Sequence, residues 1–305
     1  MITVLNDAGP DAGVPLHYGD PLREQRRLEA GTARVDLSHR PVFAVAGADR
    51  LTWLHALTSQ QFVPGTPGRP ISAYILDPNG HIEHAFAGVD DGEAFLAHTE
   101  PEHLEQLLAW LGSMVFASRV ELSDRSADFA VVGDAGGERI VPRDRLDEAL
   151  GDVRAGTWAH EALRIAAGRA RPFLDTDEKT VPNEVAAPHG DRLGEAVHLA
   201  KGCYRGQETV ARIHTLGRPP RRLTLLHLDG TANALPEVGE PVLLGDRPVG
   251  RVGTSAQHHE LGPIALALVK RNIAVDAELR LGPIAAAQEV LVDPEVGLHV
   301  RPRLG

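Results

Sequence analysis

Residues 201–208 read K-G-C-Y-R-G-Q-E and contain Cys203, the one cysteine in a chain of 305 residues. Glycines on both sides of the cysteine open backbone conformations that other residues cannot adopt, and they let another group approach closely. Lys201 and Arg205 bring two cations to the same turn, where they would favour the thiolate of Cys203 over the thiol. The stretch predicts a reactive thiol in an electropositive turn. The alternative is a small buried side chain, the commoner fate of a free cysteine.

The composition limits the class of protein. A chain of 305 residues is long enough for two or three domains, and its formal net charge of −11 argues against general coating of nucleic acid. A single cysteine excludes an intrachain disulfide. Residues 1–13 lack the basic and apolar regions of a signal peptide, and no apolar run approaches the roughly 18 residues of a membrane helix. We expect a cytoplasmic protein that does not enter a membrane.

The chain up to the cysteine motif predicts helices interleaved with β-hairpins. Asp20 and Asp49 stand at expected helix starts, and Pro101 opens another helix that Gly112 would end. The D-P-N-G run at residues 77–80 is a strong hairpin signal. Such alternation favours an α+β fold over a doubly wound sheet. Strands are expected at residues 42–46, 71–76, 81–89, 93–98, 115–122 and 129–132, and two further helices at residues 143–150 and 158–167.

After Arg222 the pattern changes to short strands separated by Gly, Pro and Asp, with little helix signal. This spacing favours a small β-barrel. The boundary lies near residues 216–222, where turn residues and three arginines occur together. The expected barrel strands are residues 223–228, 241–244, 249–254, 264–269 and 277–281.

The cysteine motif is part of a longer pattern. It is followed by V-A-R at residues 210–212, a glycine at 217 and a basic pair at 221–222. The whole resembles the signature of the YgfZ-type folate-binding proteins, relatives of the glycine-cleavage aminomethyltransferase. Other blocks agree with that superfamily in order, so the resemblance runs from about residue 17 to about residue 295. These blocks are residues 36–39, 46–49, 54–58, 163–168 and 179–184.

The resemblance implies a domain plan, a cofactor and a role. Residues 17–218 would form a folate-binding α+β domain of two similar subdomains split near residue 120, and residues 219–305 a C-terminal β-barrel domain. The cofactor would be tetrahydrofolate or a derivative. The role would be support of iron–sulfur cluster assembly or repair and, through iron–sulfur client enzymes, of tRNA modification. Sparse aromatic residues and the negative charge argue against an RNA-interaction module built on residues 212–222, which remains an alternative.

Folate chemistry suggests the binding residues. A pterin presents its N3–H and 2-amino donors side by side, so one carboxylate can accept both in charge-assisted hydrogen bonds. In the family the glutamate of the P-x-E segment lies at the pterin, which by resemblance assigns that role to Glu184. Tyr204, Gln207 and Arg212 complete the predicted cofactor-binding set. Arginine binds carboxylates of a folate tail through two parallel hydrogen bonds, although each of these charges could equally be a solvated linker residue. The candidates are Arg212, Arg218, Arg221 and Arg222.

Residues 80–86 read G-H-I-E-H-A-F, where the aminomethyltransferase branch carries a pair of aspartates. By alignment His84 and Ala85 stand at those positions, and Glu83 is one residue off and would face the other side of a strand. Proton transfer at the folate nitrogen needs a positioned carboxylate. Glycine-cleavage activity is therefore not expected. A folate-dependent aminomethyl or methyl transferase that uses another carboxylate remains the main alternative.

The working residues predicted from the motif are Cys203 as the functional thiol, with Lys201 and Arg205 as its electrostatic activators. One cysteine cannot hold an iron–sulfur cluster by itself, so a cluster would be transient or shared with another protein. The histidines at residues 81, 84, 98, 258 and 259 lack the spacing of a closed metal site, and no metal is expected.

Overall fold

The computed structural model describes residues 2–232 and 234–298. The chain divides into two compact units. The first unit comprises Met1–Ile75 with His84–His160, and the second comprises Leu76–Glu83 with Glu161–Gly305. The short segment between two strands of the first unit therefore belongs to the second. The predicted domain limits at residues 218 and 219, with the split near residue 120, stay predictions.

The α-helices of the described residues are α1 (Pro21–Glu29), α2 (Arg50–Leu57), α3 (Leu104–Ser113), α4 (Leu146–Leu150), α5 (Thr157–Ala166), α6 (Pro182–Val185) and α7 (Gln207–Leu216). Short 3₁₀ helices cover Pro101–His103, Arg143–Arg145 and Gly230–Ala232.

The strands of the described residues up to the cysteine motif are β1 (Val4–Leu5), β2 (Pro15–His17), β3 (Arg34–Asp36), β4 (Val42–Ala46), β5 (Pro70–Leu76), β6 (Ile82–Asp90), β7 (Ala94–His98), β8 (Glu121–Asp124), β9 (Phe129–Asp134), β10 (Gly137–Pro142), β11 (Arg154–Ala155), β12 (Pro188–His189), β13 (Arg192–Leu193) and β14 (Val197–His198). Those after it are β15 (Arg221–Leu228), β16 (Pro241–Leu244), β17 (Arg247–His258), β18 (Gly262–Lys270), β19 (Leu279–Leu281) and β20 (Ile284–Val290).

The first unit contains two larger sheets and the two-stranded sheet β1-β2. A five-stranded sheet has the order β5-β6-β7-β4-β8, and a four-stranded sheet has the order β10-β9-β3-β11. In the larger sheet β4 pairs antiparallel with both β7 and β8, and residues 42–45 of its apolar run are buried. Phe43 and Phe95 in its core are fully buried together with Leu107 and Leu111 of α3. This packing explains why the apolar stripe of α3 faces inward.

The two predicted aspartate caps behave differently. Asp20 accepts a hydrogen bond from the N–H of Arg23 at 3.0 Å and caps α1 as expected. Asp49 lies at the N-cap position of α2 but makes no side-chain cap. Its carboxylate instead accepts hydrogen bonds from the guanidinium of Arg119 at 2.7 and 3.2 Å. The prediction that Asp49 caps its helix is wrong, because a distant arginine offers a stronger, charge-assisted partner.

The segment after α3 also differs from expectation. The helix continues through Gly112 to Ser113, and the strand expected from residue 115 begins only at Glu121. The carbonyl of Met114 accepts a hydrogen bond from the indole N–H of Trp53 at 3.0 Å. The apolar residues of this segment resemble a strand in sequence. They do not form one, because the contact with α2 holds the start of the segment in another conformation.

The second unit contains a closed barrel with strand order β15-β18-β17-β16-β19-β20. Closure removes unpaired strand edges. Its interior is filled by aliphatic side chains such as Leu226, Val249, Val269 and Leu279, all fully buried. The α+β fold with a C-terminal barrel is thus confirmed, although β20 and α7 had no sequence prediction. Among the described residues, no helix combines the length and the apolarity that crossing a membrane requires.

Candidate functional site

The predicted turn at residues 77–80 is present, and the hydrogen bonds of Asp77 fix it. The backbone N–H of Asp77 donates to the carbonyl of His81 at 2.9 Å. The Asp77 carboxylate in turn accepts from the backbone N–H groups of Asn79 and His81, both at 2.8 Å. Burial by itself would raise the pKa of Asp77, but hydrogen bonds from His81 and Asn79 hold it below its usual value. We call residues 76–83, which belong to the second unit, the hairpin tip.

Two glycines bring the hairpin tip against the cysteine motif. Gly80 and Gly206 both have left-handed backbone conformations, with φ of +89° and +77°. A methyl group on Gly206 would lie 2.5 Å from the carbonyl oxygen of Asp77, and one on Gly80 would lie 2.8 Å from the Cβ of Thr209. Neither position can accept a side chain without movement of the backbone or of a β-branched residue. The second glycine of the motif is therefore required by close packing as well as by φ.

The hairpin tip makes two further connections. The carboxylate of Glu83 accepts a hydrogen bond from the guanidinium of Arg205 at 2.7 Å. The backbone N–H of Ile82 donates to the carbonyl of Thr180 at 2.9 Å. The tip thus joins the cysteine motif to residues 177–184. Sequence reasoning did not foresee the pairing of Glu83 with Arg205, because the two residues lie 122 positions apart.

The cysteine loop, residues 201–206, exposes Cys203 and buries two of its neighbours. Lys201 is buried with its ammonium nitrogen 5.0 Å from the ring centroid of Tyr204. Burial lowers the pKa of Lys201 to about 8 and raises the pKa of Tyr204 to about 12. The alternative of a buried cysteine is wrong. The loop is anchored through Lys201 and Tyr204, and it presents the thiol to solvent.

The loop leads directly into α7. Gly206 is the N-cap residue, and the N–H of Gln207 donates to the carbonyl of Tyr204 at 3.2 Å. The Gln207 side chain donates to the carbonyl of Lys201 at 3.4 Å, a long contact that closes the loop on itself. The apolar spacing at residues 210, 213 and 216 is the helical signal that sequence reasoning missed. The folate contact predicted for Gln207 stays a prediction.

One arginine is bound by two carboxylates. The Nη1 and Nη2 atoms of Arg221 donate to the two oxygens of Asp177 at 2.6 and 3.0 Å. Its Nε and Nη2 atoms donate to the two oxygens of Glu184, both at 2.9 Å. Burial would raise the pKa of Asp177, but the hydrogen bonds from Arg221 and Thr180 hold it far below its usual value. We call Asp177, Glu184 and Arg221 the carboxylate cluster.

Glu184, the predicted pterin anchor, is 1% exposed and lies in α6 behind Pro182 at the first helical position. Besides the Arg221 side chain, its oxygens accept the backbone N–H of Val181 at 3.1 Å and that of Arg221 at 2.9 Å. These donors fill the roughly four acceptor positions of an ionised carboxylate. A pterin would have to replace the guanidinium of Arg221 to reach Glu184. The anchor role of Glu184 stays a prediction.

The four candidate arginines differ in accessibility. Arg222 is 0% exposed, and its guanidinium donates to the carbonyls of Lys270 and Arg271 and to the side chain of Gln288. It cannot reach a folate tail, so that candidacy is wrong. The guanidinium of Arg221 is bound by Asp177 and Glu184. Arg212 and Arg218 remain exposed.

The first unit contains His84, which with Ala85 stands at the positions aligned with the aspartate pair of the aminomethyltransferase branch. His84 is buried, 6.0 Å from the ring of Trp110. His98 is buried with Nε2 3.4 Å from the carboxylate of Glu138, and desolvation lowers its pKa. Within the described ranges, no group of three or more His, Cys, Asp or Glu side chains is arranged to hold a metal ion.

Comparison with known proteins assigns the fold. The crystal structure of the glycine cleavage system aminomethyltransferase T from Bartonella henselae matches with a TM-score of 0.74 and 15% identity, over 98% of this chain and 96% of that one. The fold is therefore that of the aminomethyltransferases, as the resemblance predicted. No family model matches the chain.

Sequence relatives add detail at low identity. The tRNA-modifying protein YgfZ of Aliivibrio fischeri is 25% identical over 58% of this chain and 56% of its own length. The iron-sulfur cluster assembly factor IBA57 homolog of Mycosarcoma maydis is 24% identical over 85% and 67%. An aminomethyltransferase of Moorella thermoacetica is 24% identical over 84% and 83%. The chain is similar to YgfZ-type proteins and to aminomethyltransferases, and the resemblance expected from its motifs is confirmed.

Proposed function

We propose that this chain is a tetrahydrofolate-binding accessory protein that supports iron–sulfur cluster assembly or repair and, through iron–sulfur enzymes, tRNA modification. The observation that carries the proposal is the exposed thiol of Cys203. Within the same loop Lys201 and Tyr204 are buried, and Gly206 at its end packs against the backbone of the hairpin tip. An exposed thiol on an anchored loop is suited to handing over or sharing a ligand. The relatives named as an iron-sulfur cluster assembly factor and as a tRNA-modifying protein also support the proposal.

Cys203 is the working thiol of this proposal. The thiolate is the nucleophilic and metal-binding form, and a nearby cation favours it. We propose Lys201 and Arg205 of the same loop as its electrostatic activators, and Arg205 also pairs with Glu83. One thiolate cannot complete a cluster site. The remaining ligands come from a partner, which we propose to be the client iron–sulfur enzyme in the cytoplasm.

Tetrahydrofolate is the proposed cofactor and Glu184 its pterin anchor. Support comes from the two-donor fork by which Arg221 already binds the Glu184 carboxylate, since a pterin offers the same pair of parallel donors. Tyr204 and Gln207 lie in or next to the cysteine loop. Arg212 is the exposed cation of α7 that we propose for the folate tail.

Aminomethyl or methyl transfer is the second candidate. The observation in its favour is Glu83, a half-exposed carboxylate on the hairpin tip, together with the aminomethyltransferase relative of Moorella thermoacetica. Against it, one oxygen of the Glu83 carboxylate is already engaged by the guanidinium of Arg205 at 2.7 Å. Activity in a reconstituted glycine-cleavage reaction separates the two candidates.

The proposal is tested in cells that lack the corresponding native protein and receive either the wild-type chain or the Cys203→Ala variant. The readout is the product of an iron–sulfur tRNA methylthiolase in total tRNA. We expect rescue by the wild type and none by the variant. Full rescue by a stably folded variant would remove the working-thiol role. In parallel, purified protein is titrated with tetrahydrofolate and with tRNA, and salt-dependent tRNA binding without folate binding would favour an RNA-interaction module.

A further inference from the structure

We propose that Arg221 controls access to Glu184: its guanidinium occupies the carboxylate edge that accepts two parallel donors, and a pterin binds by taking that edge while Arg221 keeps Asp177. This inference rests on the proposed folate-binding function and concerns the regulation of that same site. It assigns to Arg221, the first residue of barrel strand β15, a role that its position in the sequence does not suggest.

The first argument is the shape of the hydrogen bonds. Arg221 presents Nε–H and Nη2–H in parallel to the two oxygens of Glu184 at 2.9 Å each. A pterin presents N3–H and its 2-amino group in the same N–C–N arrangement. The backbone N–H groups of Val181 and Arg221 take the other acceptor positions. The carboxylate can therefore hold one fork at a time, and the guanidinium and the pterin compete for it.

The second argument is the balance of charge. Two carboxylates share one guanidinium, whose other edge donates to Asp177 at 2.6 and 3.0 Å. When a ligand takes over Glu184, Arg221 keeps a complete two-point ion pair with Asp177. Both the arginine and the glutamate therefore keep a hydrogen-bonding partner after the exchange. Other buried pairs are costly to break because one charge is left unpaired.

The third argument is exposure. The Arg221 side chain is 20% exposed, as is that of Asp177, whereas the Glu184 side chain is 1% exposed. The guanidinium thus lies on the solvent side of the carboxylate. A ligand approaching Glu184 from solvent meets Arg221 first, and a small outward movement of the arginine toward Asp177 opens the edge.

The test measures tetrahydrofolate affinity of matched variants by calorimetry. Arg221→Lys keeps a cation for Asp177 but cannot form two forks, so Glu184 is open in a larger fraction of molecules. Because apparent affinity scales with that fraction, we expect binding at least about threefold tighter than wild type. Asp177→Asn removes the alternative partner and is expected to weaken binding by about threefold or more. Arg247→Lys, the same change at an exposed barrel residue, is the control and should change nothing.

The outcomes separate this inference from the proposed function. Failure of the wild type and every variant to bind tetrahydrofolate would contradict the folate function itself. Unchanged binding by Glu184→Gln would contradict the anchor role of Glu184, and with it the exchange, but not folate binding. Loss of binding in Glu184→Gln together with weaker or unchanged binding in Arg221→Lys would overturn only the exchange. If Arg221→Lys does not fold, the Nε–H resonance of Arg221 in the wild type decides: it should shift on saturation with tetrahydrofolate, and an unshifted signal would exclude the exchange.

Discussion

Gly80 and Gly206 contact each other through their backbones, since a methyl group on Gly206 would lie 2.8 Å from the Cα of Gly80. Through this contact a turn of the hairpin tip supports the end of the cysteine loop. The two glycines come from segments 126 positions apart in sequence, yet each has the left-handed φ that glycine accommodates without strain.

Gly206→Ala should destabilise the protein by about 3 kcal/mol or more, because it adds both a left-handed alanine and a backbone clash. Gly245→Ala is the matched control: Gly245 is also left-handed, with φ of +59°, but its added methyl group would have no atom within 4 Å. Urea unfolding of both variants separates conformational strain from steric contact. Equal losses would show that the contact with the hairpin tip contributes nothing.

Lys201→Met should gain stability relative to wild type near neutral pH. The folded-state pKa of Lys201, about 8, lies below the ordinary lysine value of 10.5, so the folded protein binds fewer protons between these values. The free energy of unfolding of the wild type therefore increases as the pH rises from about 8 to 10.5. This contribution is lost as the pH falls through the folded-state pKa of about 8.

The stability advantage of Lys201→Met should accordingly shrink as pH rises from 7 to 10. Denaturant unfolding at each pH measures it, with Lys179→Met as the control at an exposed lysine. An advantage that stays constant over this range would contradict the cause given for the shift, which is desolvation of the ammonium group.

Cys203 should be alkylated faster at pH 7 than a free thiol, because the side chain is exposed and a cation lies two residues away. Iodoacetamide rates against pH measure this reactivity. Lys201→Met should slow the reaction, and Lys179→Met should leave it unchanged. A wild-type alkylation rate at or below that of free cysteine would show that Cys203 is an unactivated surface thiol.

Glu184→Gln should lower both tetrahydrofolate affinity and stability. The amide replaces one acceptor by a donor facing the donors of Arg221 and Val181, which costs about 1 to 3 kcal/mol for the unsatisfied groups. Calorimetry and thermal unfolding measure the two effects, with Glu178→Gln as the control at an exposed glutamate. Undiminished affinity would mean that the pterin binds elsewhere.

The chain should show only background turnover in a reconstituted glycine-cleavage reaction. His84 is buried against Trp110, and Ala85 has no titratable group, so neither can manage the proton on the folate nitrogen. A genuine aminomethyltransferase in the same mixture is the positive control. Folate-dependent turnover that disappears in Glu83→Gln would instead identify a transferase built on Glu83.

Local sequence patterns determined much of the fold. The cap of α1 at Asp20, the turn at residues 77–80 and most of the barrel strands follow from the chemistry of neighbouring residues, which acts within a few positions. The cysteine motif likewise predicted the similarity to YgfZ-type proteins that the relatives confirm, because its fixed residues are contiguous. Cys203 is exposed to solvent, and its role as a working thiol stays a prediction.

The tertiary structure decided which partner each charged side chain takes. Asp49 binds Arg119 and leaves its helix uncapped, Arg222 is fully buried, and Glu184 is occupied by Arg221. Hydrogen-bond donors compete for each carboxylate according to distance and burial, and residues far apart in sequence enter that competition only when the chain has folded. The sequence by itself therefore determined the residue types of the candidate site, while folding determined which of them remain accessible to a ligand.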